Sequence, residues 1–145
     1  MAFDVDRLLQ LWTDPLPDDA AEAAAVFREL YADPVTVNGT PLTASDLVVR
    51  AQALQSALER PEREVLAVAD AGDSVAVAFR LAGRQIGALD TPAGRLPPSG
   101  QWIDVRIIDI LTFSDGLITA IWMVADWLPT LAAAGALRLP ADELA

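Results

Sequence analysis

Apolar residues recur along this chain at two periods, helical over roughly the first 60 residues and alternating beyond them. Leu8, Leu9, Leu11 and Trp12 predict a short helix over 4–12, ended by Pro15 and Pro17. Ala23, Val26, Phe27, Leu30 and Tyr31 form one face of a second helix, opened by the pair Asp19 and Glu22 and stopped by Asp33-Pro34. Residues 34–38 read as a short strand, turned by Gly39. Thr43, with Asp46 three residues on, caps a third helix whose buried stripe is Leu47, Ala51, Leu54 and Leu58, with Pro61 as its terminator.

The period then falls to two. Residues 64–69 and 74–81 predict strands joined by the turn 70–73, and 101–113 a long strand. Asp115-Gly116 predicts a tight hairpin into a returning strand over 117–125. Residues 83–100, rich in Gly and Pro, read as a loop. A closing helix is expected over 128–137, with Pro129 in its first turn, and 140–145 as a tail. Helices followed by antiparallel strands indicate an α+β fold: a cone-shaped curved sheet packed with three N-terminal helices and a short C-terminal one. The open end of such a cone suits a small-molecule pocket. One domain is expected over the 145 residues.

Composition narrows the chemistry. The chain has no His and no Cys, and all ten basic residues are Arg. This removes Ser-His-Asp and Cys-His catalysis, thiolate and Schiff-base chemistry, and the P-loop. With a net charge of −11 and scattered Arg residues, neither nucleic acid nor an anionic membrane is an expected partner. The N-terminus lacks the pattern of a signal peptide, and a cytoplasmic location is expected. No metal-binding loop is evident, so no metal is expected.

Carboxylates are the remaining acid–base groups. Ile103, Val105, Ile107, Asp109 and Leu111 share one strand face, interrupted only by Asp109. An acid on an apolar face is either a satisfied buried group or a group with raised pKa. Trp122, Val124 and Asp126 share a face of the next strand, and Asp126 reads either as a pocket acid or as the cap of the closing helix. Asp126 and Asp109, converging in one hollow, would hold one proton between them. Trp122 and Val124 are expected as pocket wall, with Val105, Ile107 and Phe27. Tyr31, the single tyrosine, is either a hydrogen-bond donor to an enolate or a core residue; Asn38 either orients substrate or forms a turn with Gly39. Asp104 and Arg106, on the opposite face, are expected as a surface or interface ion pair.

The ordered set Ala71-Gly72-Asp73-Ser74-Val75-Ala76-Val77, Gly83, Gly87, Pro98-Ser99-Gly100-Gln101, Ile108-Asp109-Ile110, Ser114-Asp115-Gly116-Leu117-Ile118, Trp122, Asp126 and Leu131 to Gly135-Ala136-Leu137 resembles the SnoaL-like polyketide cyclases of the NTF2-like superfamily. The resemblance implies a cofactor-free bacterial enzyme of antibiotic biosynthesis, closing a ring in an apolar polyketide substrate, with Asp126 as acid–base catalyst. It also implies a homodimer. Thr112 and Ala120 stand where the family often has Arg and Glu, and the family's histidines are absent. Two other readings stay open: pericyclic closure by shape alone, and a non-catalytic binding or dimerisation module on the same fold.

Overall fold

In a computed structural model, the described residues are 3–137, 139 and 140. The predicted tail beyond residue 140 lies outside them. Three helices, α1 (Val5–Thr13), α2 (Ala20–Arg28) and α3 (Ala44–Ala57), pack on a curved, unclosed sheet. The strands are β1 (Tyr31–Val37), β2 (Thr40–Leu42), β3 (Leu58–Asp70), β4 (Ser74–Gln85), β7 (Trp102–Ser114) and β8 (Leu117–Ala125), in the spatial order β2-β1-β8-β7-β4-β3. A small hairpin, β5 (Leu89–Thr91) and β6 (Gly94–Leu96), and a closing helix, α4 (Leu128–Ala133), complete the α+β fold.

The helix starts follow the sequence closely. Asp4 accepts from the Arg7 amide, Asp19 from the Glu22 amide, and Thr43 and Asp46 form a reciprocal capping box. Asp115 and Gly116 adopt positive φ, 53° and 77°, as the hairpin between β7 and β8 requires.

Four predicted boundaries move. The second helix ends at Arg28, because the chain enters β1 beside β8: the Ile118 amide donates to the Leu30 carbonyl. Tyr31 is therefore a strand residue. The third helix passes directly into β3 at Leu58, and Pro61 lies inside that strand. β3 is the sheet edge and its register shifts between Glu59 and Glu62, so a missing donor is tolerated there. The closing helix stops at Ala133, near Gly135 at φ 71°.

The fourth lies in the predicted loop 83–100. β4 runs on to Gln85, whose fully buried side-chain amide donates to the carbonyls of Gly87, Leu96 and Pro97 and accepts from Ser99. One side chain thus ties both ends of the β5–β6 hairpin to the sheet. Gly87 lets the hairpin approach α3: a Cβ there would stand 2.4 Å from the Ser56 carbonyl oxygen.

The core divides in two. The larger part joins α1, α2 and α3 to the sheet through residues such as Phe27, Leu47, Val77, Leu111 and Ile118. The smaller part, with Leu58, Leu89, Leu96, Ile103, Val105 and Leu131, gathers under the β5–β6 hairpin and α4. Ile107 packs against both, and Asp109 is the next inward residue of β7.

Candidate active site

Alternation along β7 places Ile103, Val105, Ile107, Asp109 and Leu111 on the inner face. Asp109 is only 8% exposed, and its Oδ1 is buried with no hydrogen-bond partner. A buried carboxyl without a partner favours its neutral form, and burial pushes the Asp109 pKa from 3.8 up to about 7.

Asp109 pairs across the strands with Met123, and Ile107 with Ala125. Directly opposed residues point to the same side of a sheet, so Met123 shares the inner face with Asp109. Met123 is 39% exposed, which brings the interior near solvent at this point. Asn38, in the left-handed region at φ 48°, clips β1 to this place on β8. Its side-chain amide donates to the Met123 carbonyl, and its oxygen accepts from the Met123 amide at 2.8 Å. Asn38 thus spends its side chain on backbone, where substrate orientation was one expectation.

Tyr31 rises from the start of β1 into the main core at 3% exposure. Its hydroxyl accepts a 2.8 Å hydrogen bond from the Trp12 indole N–H. Burial raises its pKa most; the Trp12 bond opposes that rise, and the nearby Asp109 charge adds to it. Asp109 thus lies within electrostatic range of the phenol, although the two share no hydrogen bond. The Phe27 ring packs against both aromatic neighbours, edge-on to Trp12 with centroids 5.4 Å apart and tilted against Tyr31 at 5.9 Å.

The expected convergence of Asp126 with Asp109 does not occur. Trp122 and Val124 are 59% and 73% exposed on the outer face, where they cannot form an interior wall. Asp126 bonds Arg106 at 3.0 Å, an ion pair with both side chains well exposed. It does not cap α4 either: Trp127 holds the cap position, without a side-chain bond. The cause is a bulge. Phe113 pairs with Ile118 but Thr112 with Ala120, so Thr119 is an extra residue in β8. It inverts the phase of the strand, and Ile121, Met123 and Ala125 take the inward positions. Asp104 and Arg106 both lie outward but do not pair with each other; Asp104 receives Arg80 instead, at 2.8 Å.

Asp109, Tyr31, Phe27, Val105 and Ile107 remain as inward-facing residues from the expected set. Sequence reasoning missed Trp12 and Met123 as neighbours of the site. No sequence signal marked the bulge, because residues 121–125 are apolar in both phases. Two concavities lie elsewhere, one of about 330 Å³ between α1 and α2 and one beside Pro61 and Arg63 on β3. Among the described residues no group of three or more acids, His or Cys is placed to hold a metal ion. No helix among them is long and apolar enough to cross a membrane.

The model of the SnoaL-like polyketide cyclase family matches residues 6–134. The chain belongs to this family. Among solved structures it is similar to a Jannaschia sp. CCS1 protein bearing the name of a SnoaL-like polyketide cyclase, at 25% identity, 92% coverage of each chain and TM-score 0.67. A SnoaL-like polyketide cyclase of Agrobacterium tumefaciens aligns at 16% identity, covering 92% of this chain and 98% of that one, with TM-score 0.69. AclR of Streptomyces galilaeus, which bears the name of a hydroxylase, aligns at 19% identity, covering 92% and 96%, with TM-score 0.67. The last two likenesses establish the shared fold only. A comparison with curated proteins returns no match. For this SnoaL-like chain the NTF2-like fold stands as expected, with Asp109 as its inward-facing acid.

Burial of Asp109 has a measurable cost. Between pH 3.8 and about 7 the native state holds a proton that the unfolded chain has released. Stability therefore falls as pH rises through that window, by roughly 4 kcal/mol at most for this group. Denaturant unfolding at both ends of the window tests this: Asp109→Asn is expected to flatten the slope and to gain on the wild type at the higher pH. An unchanged slope would contradict the burial argument.

Proposed function

We propose that the protein is a polyketide cyclase that closes a ring by acid–base catalysis at Asp109, without a cofactor. The observation that carries this reading is the buried carboxyl with an unpartnered oxygen and a pKa pushed to about 7. Such a group exchanges a proton near neutrality with little driving-force penalty in either direction. In an aldol closure the Asp109 carboxylate takes a proton from the carbon α to a carbonyl. The enolate carbon then bonds to a second carbonyl carbon of the same molecule. The resulting alkoxide takes the proton back from Asp109. Atoms balance, and the product is an isomer of the substrate. Tyr31 donates to the enolate oxygen while negative charge is on it. Ile107 and Met123, the partly exposed inner-face neighbours of Asp109, supply the apolar surface against which the substrate chain folds. Holding both reacting carbons in one molecule in contact contributes much of the acceleration.

The family match favours ring closure over a binding role. The unsatisfied carboxyl favours proton transfer over closure by shape alone, because a purely steric chamber has no use for a costly buried acid. Asp126, implied as the catalyst by resemblance, has no place in this reading; its ion pair with Arg106 serves the outer face. Placement in bacterial secondary metabolism and in the cytoplasm completes the proposal on the family's account.

The same outer face supports a homodimer. Ile108, Ile110, Trp122 and Val124 are all exposed there on adjacent strands, flanked by the Arg80–Asp104 and Arg106–Asp126 pairs. An exposed apolar patch of this kind is uncommon on a monomer.

Two outcomes are expected. With a linear polyketide intermediate, the wild type yields a product of equal mass. Asp109→Asn lowers kcat at least about 100-fold, the usual range for a lost general acid–base, while Asp126→Asn stays within a few-fold. The reverse ranking would return catalysis to Asp126, and full activity in both would leave closure by shape. Light scattering on an eluting peak tests the dimer: Val124→Glu converts it to a monomer, whereas a monomeric wild type would contradict the assignment.

A further inference from the structure

Trp12 lies in the last turn of α1, yet its indole is bonded to the hydroxyl of Tyr31. An indole N–H is a donor only, so the Tyr31 oxygen accepts in this bond. The phenol hydrogen prefers the ring plane and has two orientations there. On the side facing the indole it would meet the Trp12 hydrogen, which leaves the other side. No protein acceptor for it is found among the described residues.

The segment carrying the indole is itself held. The Gln55 side-chain amide donates to the carbonyl of Trp12 at 3.0 Å and of Asp14 at 2.9 Å. Arg63 donates to the Thr13 hydroxyl at 2.6 Å and pairs with Asp14 at 3.3 Å. The Thr13 hydroxyl in turn donates to the Leu9 carbonyl. One residue of α3 and one of β3 thus fix the end of α1, and with it the indole, which also meets the Phe27 ring edge-on at 88°. The Gln55 bonds also satisfy carbonyls that the last turn of a helix leaves without intrahelical partners.

We propose that Trp12 is a positioning residue: by occupying the acceptor side of the Tyr31 hydroxyl it leaves the phenol hydrogen a single in-plane orientation, from which it donates to the substrate oxygen. The proposal rests on the reading of Asp109 and Tyr31 as the reacting pair. The Trp12 bond also prepays the orientation of a donor that would otherwise rotate at the moment charge develops. Gln55 and Arg63 act one step further out, by fixing the segment that bears the indole.

Tyr31 is the only tyrosine, so protein labelled with ¹³C at tyrosine Cζ gives a single resonance from this phenol. The probe is 2,4-dinitrophenol, which is ionised at about pH 6, below the Asp109 pKa; its oxygen mimics an enolate and its absorbance follows binding. Trp12→Phe keeps an aromatic ring and removes the N–H. It is expected to shift the Cζ resonance and to weaken the probe by about tenfold, as for one lost hydrogen bond. Gln55→Leu keeps the indole but releases its segment, and is expected to move both readouts the same way by less.

Suppose Tyr31→Phe loses probe affinity while Trp12→Phe leaves both readouts at their wild-type values. The positioning role is then wrong and the site reading stands. No probe binding to the wild type, or wild-type affinity retained in both Tyr31→Phe and Asp109→Asn, overturns the site reading and this inference with it. If circular dichroism finds Trp12→Phe unfolded, Gln55→Leu decides: unchanged readouts overturn the proposal.

Discussion

One carboxyl sits in an apolar interior with its Oδ1 buried and unpartnered among the described residues, and the proposed chemistry depends on it. The arrangement is expensive, because nothing among the described residues compensates the lost hydration of the Asp109 Oδ1. The protein sustains it with a well-built frame: three capped helices, a six-stranded sheet and a main core that includes Phe27, Leu47, Leu111 and Ile118 at 1% exposure or less. The cost appears as a proton retained up to about pH 7. In a chain without histidine, this carboxyl titrates where an imidazole ordinarily would.

Much of the frame was legible in the sequence, since its signals are local. Caps at Asp4, Asp19 and Thr43, the Asp115-Gly116 turn and the change of period each act within a few residues. Asp109 was legible for the same reason, as the one acid on an otherwise apolar strand face. The boundaries that moved depend on distant partners. Tyr31 leaves the second helix because β8 lies beside it, and the presumed loop is ordered by the side chain of Gln85, which bonds residues up to 14 positions away.

The side chains of β8 were not legible in the same way. Residues 121–125 are apolar in both phases, so alternation could not choose the inner set. The extra residue Thr119 makes the choice, and its effect is visible only when β8 is paired with β7. Reading the strand without the bulge turned Trp122, Val124 and Asp126 inward. With it they belong to the outer face, and Met123 takes the position opposite Asp109. The resemblance correctly indicated the family and its fold. The role it implied for Asp126 does not fit that residue's outward pairing with Arg106.

The central claim concerns the protonation of one side chain, and carboxyl ¹³C NMR reads it directly. A pH titration of protein labelled at the aspartate carboxyls, assigned with Asp109→Asn, should show one resonance with a midpoint of about 7 that is missing from the variant. An Asp109 midpoint near 4, the ordinary aspartate value, would contradict the account.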